Sequence, residues 1–346
     1  MKKIFFVLLC VFVAITSSFL SACGKNKEEL IFYNWQDYID PDVVDMFTEE
    51  TGISVIIEPF DTNESMYIKV KNTGGYDVIL PSDYMVQRMV NDGLLEKLDM
   101  SKIPNYSHID DNFKNLYFDP ANEYFVPYMW GTVGILYDST RVYEPIDSWE
   151  ALWDERYEGE IFMYNSVRDA MTAPLKMLGY SVNTLDAGEL DEAAALLIEQ
   201  KPLVKAYLGE PVKDKMIGGE GIMAVMYSGD AQFCQFENEN LVYTIPKEGS
   251  NIFVDGLVIP KTAPNKENAM KFIDFLCRPE IAALNSEYLG YSTANRSALE
   301  LIDPELMENP IFWATDEEIA RCEFFEDLGD FRDDFDRVWS EVLIGN

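Results

Sequence analysis

The chain has 346 residues, 48% of them hydrophobic, and carries 61 acidic side chains against 27 basic ones, a formal net charge of −34. A negative field of that size repels nucleic acid and anionic membrane surfaces and attracts cations, besides keeping the protein dispersed. The length exceeds what one hydrophobic core usually fills, so two lobes are expected, and the composition is that of a globular protein.

The N-terminus reads as an address. Lys2 and Lys3 precede an almost unbroken apolar run from Ile4 to Ala14, a positive n-region followed by an h-region. The run falls short of the roughly 20 residues that a spanning helix needs. Leu20-Ser21-Ala22-Cys23 comes next and resembles a bacterial lipobox. That resemblance implies a signal peptide over 1–22, a lipid on Cys23 and a polar tether over 23–29. Of the other cysteines, Cys10 lies in the leader, and Cys234, Cys277 and Cys322 have no close spacing. Neither a metal cluster nor a disulfide framework follows, and the three are expected as buried free thiols.

From Leu30 the pattern alternates. Leu30 to Asn34 reads as a buried strand; a helix follows, with Asp40 as N-cap, Pro41 at its first position and Gly52 just past its end. Ile53 to Ile57 is a second strand, Glu64 to Lys71 a helix, Tyr76 to Leu80 a third strand, and Ser82 caps a helix running to Asn91. This alternation predicts a mostly parallel sheet with helices on both faces. A second set follows Trp130 to Ile135, with helices over 148–153, 168–178, 189–200 and 212–217. Strands are expected over 222–226, 241–245 and 252–259, then helices over 266–276 and 279–288 and a charged helical tail from Asp316. The fold class is α/β with two lobes joined by extended segments, and a ligand site is expected in the cleft between them. The lobes are assigned as 30–135 plus 255–301, and 136–254 plus 302–346.

Two stretches fall at the carboxyl ends of predicted strands, where open α/β sheets hold their ligands. They are Trp35-Gln36-Asp37-Tyr38 and Ser82-Asp83-Tyr84. Large aromatics around a carboxylate suit an organic cation. Charge-assisted hydrogen bonds replace the hydration of a protonated amine, ring faces attract it, and apolar walls take its methylenes.

The chain resembles the spermidine/putrescine-binding proteins of bacterial polyamine ABC importers. Tyr33-Asn34-Trp35 followed by Tyr38, Phe47-Thr48-Glu49-Glu50-Thr51-Gly52-Ile53, Tyr76-Asp77-Val78 leading to Pro81-Ser82, and Pro127-Tyr128-Met129-Trp130-Gly131 carry the likeness. So do Pro246-Lys247-Glu248-Gly249, Asp255 before Leu257-Val258-Ile259-Pro260, and Leu289-Gly290-Tyr291. Their order and spacing span nearly the whole chain beyond the leader. The resemblance implies a two-lobed periplasmic-binding-protein fold of type II. It also implies a receptor held at the outer face of the membrane, monomeric and without a cofactor, that delivers putrescine or spermidine to permease subunits with a cytoplasmic ATPase.

By the same resemblance, Trp35 and Tyr38 line an aromatic box, with Gln36 and Asp37 at its polar ends. Ser82, Tyr84, Asp169, Asp255 and Tyr291 match site positions, and Tyr227 and Phe253 fall where the family often carries Trp. Two positions depart: Ser166 stands where the spermidine-type pattern has a second Asp, and Phe325 roughly where it has a polar amide. A shorter diamine is then as plausible a ligand as spermidine. Trp130 is expected to pack at the hinge.

Other functions remain to be weighed. The single histidine, His108, lies in a polar stretch, and no Gly-x-Ser-x-Gly, His-Glu-x-x-His or Walker pattern appears, which argues against an enzyme. Asp61-Thr62-Asn63-Glu64 lacks the glycine and distal glutamate of a calcium loop. A same-fold receptor for an anion or ferric ion would be expected to show Arg or Ser-rich loops, and the one nearby base, Arg168, is expected to pair with an acid or face solvent. Transport and sensing are not separable from the sequence.

Overall fold

The computed structural model describes residues 28–344; the leader, Cys23 and the tether as far as residue 27 lie outside them. Strand β1 (Glu29–Trp35) buries Leu30 and Phe32 completely. Local signals set the ends of helix α1 (Pro41–Thr51): Asp40 accepts from the Asp42 amide, Pro41 takes the first position, and Gly52 closes the helix at φ 75°. β2 (Ser54–Phe60) and β3 (Val78–Ile79) flank β1, both parallel to it, with α2 (Asn63–Thr73) between them and α3 (Asp83–Asn91) after β3.

A buried carboxylate pins this sheet. Asp77 accepts hydrogen bonds from the Ile31 amide at 2.8 Å, the Asn265 amide at 2.7 Å and Asn265 Nδ2 at 3.2 Å. Asp77→Ala strands two backbone N–H groups, and the expected cost is about 2–4 kcal/mol of stability. Urea titration should show a lower midpoint at an unchanged slope; a wild-type midpoint would contradict the pinning role.

The chain continues through β4 (Val126–Asp138), β5 (Ile161–Tyr164), α4 (Val167–Met177), α5 (Ala187–Gln200), β6 (Val204–Leu208), α6 (Val212–Ile217) and β7 (Met223–Tyr227). Then come α7 (Ser228–Glu237), β8 (Leu241–Thr244), β9 (Ile252–Leu257), α8 (Lys266–Leu276), α9 (Pro279–Leu289) and β10 (Ser292–Thr293). Two four-residue helices precede α10 (Arg332–Ile344).

β4 ties the molecule together. All thirteen of its residues are buried, as expected of a strand covered on both faces. Its first half pairs antiparallel with β9 and β10, and its second half with β7 and β8. Val126 and Met129 pack with Leu30, Phe32 and Phe272, whereas Val133 and Ile135 pack with Trp149, Leu197 and Phe335. The strand thus changes core between Thr132 and Val133. Trp130 is buried just before that change and meets Phe113 at a tilt and Trp313 edge-on. β5 pairs parallel with β6 and β7, so the second sheet is mixed in direction.

Three elements carry no sequence signal. β5 is four residues long and β6, at the end of its sheet's strand order, has no alternation of burial. α7 is weakly patterned: it buries Ser228, Gly229, Asp230 and Gln232 together with the small Ala231 and Cys234, and exposes its two large apolar residues, Phe233 and Phe236, which defeats a periodicity test. The stretch expected as a helix over 148–153 is a 3-10 turn, Trp149–Trp153. Cys234 and Cys277 are buried free thiols, and Cys322 is half-buried. Among the described residues, no helix is long and apolar enough to cross a membrane.

Candidate functional site

The carboxyl ends of β1, β5 and β7 and the amino end of β9 bring a run of aromatic rings together. Tyr164 meets Tyr227 with ring centroids 4.8 Å apart, Tyr227 meets Phe253 at 5.4 Å, and Phe253 meets Tyr291 at 6.2 Å. Tyr291 meets Tyr38 at 5.3 Å, and Tyr38 meets Tyr128 at 5.9 Å. Every contact is edge-to-face, an arrangement in which rings hold one another in place. Tyr227 packs against both large cores and so bridges the two halves of the molecule.

Carboxylates line this run. Asp255 on β9 bridges to Ser82 in the backbone ladder and is buried, with no hydrogen-bond partner for its Oδ1 among the described residues. The hydroxyl of Tyr38 is buried beside this carboxylate. Burial pushes the Asp255 pKa up to about 6, against the pull of the Ser82 and Tyr38 side chains. Asp169, in the first turn of α4, accepts from the Tyr227 hydroxyl at 2.8 Å. Burial raises its pKa too, opposed by Ser166, Tyr227 and Arg168.

A second group lies beside it. Tyr84 accepts from Asn63 Nδ2 at 3.1 Å and donates to Glu64 Oε1 at 3.0 Å, and Asn63 Nδ2 also donates to the Ser82 hydroxyl at 3.1 Å. The Tyr84 ring meets buried Phe325 edge-on at 6.2 Å. Asp83 serves the backbone instead, accepting from the Tyr84 amide at 2.6 Å and the Val254 amide at 3.2 Å.

The remaining expected residues sit at the margin. Trp35 is half-buried, with its ring 4.4 Å from Phe60 and its Nε1 unpartnered among the described residues. Gln36 and Asp37 are exposed in the turn after β1, Asp37 at φ 53°, a conformation that Asp tolerates better than most residues. Ser166 is half-buried at the N-cap of α4 without a cap hydrogen bond.

Arg168 departs from expectation. It is buried and gives its hydrogen bonds to the Glu326 carbonyl at 3.1 Å, the Val182 carbonyl at 3.2 Å and Asn183 Oδ1 at 2.8 Å. Its guanidinium lies 4.2 Å from the centre of the Phe325 ring. A planar, weakly hydrated cation can be sandwiched in this way without an acid partner.

Sequence reasoning missed Asp230, Tyr128, Tyr164, Asn63 and Glu64. Asp230 is buried at the start of α7, directly after β7; Glu64 opens α2, just past β2. The strand-end rule that found Trp35 and Ser82 would have reached both. Burial raises the pKa of Asp230, with Lys213 pulling the other way.

A run of rings with buried carboxylates, set where two cores share one long strand, is an arrangement suited to a small organic cation. The chain belongs to the bacterial extracellular solute-binding protein family, whose model matches residues 42–316. It is 34% identical over 329 residues to the spermidine/putrescine-binding periplasmic protein of Salmonella typhimurium, covering 94% of each chain. It is 31% identical to a putrescine-binding periplasmic protein of Pseudomonas aeruginosa over the full length of both. A putative spermidine/putrescine ABC transporter structure from Listeria monocytogenes superposes with a TM-score of 0.89 at 40% identity, covering 92% of this chain and all of that one.

Proposed function

We propose that this protein captures a polyamine, putrescine or spermidine, outside the cytoplasm and delivers it to an ABC permease driven by a cytoplasmic ATPase. The observation that carries this reading is the buried Asp255 carboxylate beside the Tyr38 hydroxyl, inside the run of rings, with an Oδ1 that has no hydrogen-bond partner among the described residues. Buried polar groups are normally hydrogen-bonded; a ligand ammonium supplies the missing partner and the charge. Trp35, Tyr38, Ser82, Tyr84, Asp169, Tyr227, Phe253, Asp255 and Tyr291 make the box, with Gln36, Asp37, Ser166 and Phe325 at its ends. The lobes 30–135 with 255–301 and 136–254 with 302–346 close over it about β4. The protein acts as a monomer, without a cofactor and without catalysis.

The test is a thermal-shift panel of putrescine, spermidine, spermine, agmatine and amino acids. A ligand at 100 times its Kd adds about 2.7 kcal/mol of stability; a flat response to every amine overturns the proposal. Within the panel, Ser166→Asp should improve spermidine relative to putrescine, because burying a third ammonium without a partner costs more than its added methylenes return. Unchanged relative affinity would remove Ser166 from the site.

The chain is held at the membrane through a lipid on Cys23, the reading that Leu20-Ser21-Ala22-Cys23 supports. Cys23→Ala should leave the protein unprocessed or released into the medium. Normal processing and membrane retention of that variant would sink the anchor.

A further inference from the structure

Resting on the reading of the site as an amine receptor, we propose that Lys213 is an internal competitor for Asp230 and sets how much of that carboxylate's charge a guest ammonium can use. Asp230 has two sides. On one, the charge acts on Tyr291, Tyr38 and Tyr164, three members of the run of rings. Tyr291 lies so close that a Cβ added at neighbouring Gly229 would run into its ring. On the other side stands Lys213, with Nζ 3.4 Å from Asp230 Oδ1 and 2.7 Å from Glu210 Oε2.

The ammonium is therefore bracketed by an inner and an outer carboxylate and lies nearer the outer one. The Asp230 side chain is 10% exposed, Lys213 26% and Glu210 55%. The gradient runs from the buried site to water. Lysine suits such a post, since its charge is compact and its four-carbon stem swings. While Lys213 leans on Asp230, that carboxylate is partly neutralised, and an incoming ammonium must share it or displace the lysine. Glu210 holds the displaced ammonium at the surface, so the exchange leaves no charge stranded. Lys213 thus lowers affinity for every cation that uses this end of the site.

The test is calorimetric titration of putrescine into wild type, Lys213→Met, Asp230→Asn, the double variant and Glu210→Gln. Lys213→Met keeps the stem and removes the competitor, and binding should tighten by about tenfold. In the double variant the gain should vanish, because Asp230 is what Lys213 acts on. Glu210→Gln removes the outer carboxylate at an exposed position, throws Lys213 wholly onto Asp230, and should weaken binding by about threefold or more. A folded Lys213→Met with unchanged or weaker binding, or a gain that survives in the double variant, overturns the inference. Should Lys213→Met fail to fold, unchanged affinity in Glu210→Gln overturns it equally. Wild type that binds no amine overturns this inference together with the proposed function, whereas normal wild-type binding with neither Lys213→Met nor Glu210→Gln shifted overturns this inference alone.

Discussion

Asp255→Asn should weaken amine binding by about 2–4 kcal/mol, roughly 30- to 700-fold, while the protein stays folded. The substitution keeps the shape of the side chain and removes its charge. A ligand ammonium placed there would then be desolvated without a counter-charge, which is the expensive half of a broken buried pair. The pH dependence separates this from a packing defect. Burial raises the Asp255 pKa to about 6 from an unfolded value of 3.8, so the ligand-free fold prefers the protonated acid. The stability this lends is fully present below about pH 4 and is lost as pH rises through about 6. A cation needs the ionised form, so its affinity should fall as pH drops through the same window. Asp255→Asn removes that group's share of both slopes, and its ligand-free melting temperature near pH 7 should equal or exceed that of wild type. Calorimetry and melting from pH 5 to 8 read both quantities; an unchanged affinity for every polyamine would place Asp255 outside the site.

Gly229→Ala should disrupt the site from the opposite direction. Gly229 lies in the first turn of α7, between Ser228, whose hydroxyl accepts from the Thr132 amide at 3.2 Å, and Asp230. A methyl group there would collide with the Tyr291 ring, which is wedged between Tyr38 and Phe253. Neither ring can yield without disturbing the rest of the run, so overpacking should cost about 1–3 kcal/mol of stability. Because Tyr291 and Asp230 move together, amine affinity should fall about tenfold or more. Gly209→Ala is the control: an added Cβ there meets nothing within 4 Å. A Gly229→Ala variant that melts and binds like wild type would show that the rings can rearrange freely, contrary to the packing described.

What the sequence by itself determined is what short-range chemistry decides. The cap at Asp40, the proline at 41 and the left-handed glycine at 52 mark where α1 begins and ends. The apolar run at 30–34 and the strand-end motifs at 35–38 and 82–84 point to one edge of one sheet. The order of short motifs along the chain adds the family, and with it Asp169, Tyr227, Phe253, Asp255 and Tyr291, which the fold does bring to adjoining rings and carboxylates.

Only the tertiary structure decided the rest. α7 is invisible to a periodicity test because Phe233 and Phe236 face outward while Asp230 is buried; the packing of Ala231 and Cys234 against Leu136, Phe162 and Met216 holds the helix in place. Arg168 could be read from sequence as half of an ion pair; its actual partners are carbonyls and a ring contributed from 182, 325 and 326. Glu64 reads as the start of a helix and Asn63 as the residue before it, and both join Tyr84 only because β2 and β3 flank the same strand. Burial is set by the whole fold: the Asp255 carboxylate would be an ordinary solvated acid in an open loop, and becomes a buried group with a free Oδ1 once β9 carries it beside Ser82 and Tyr38.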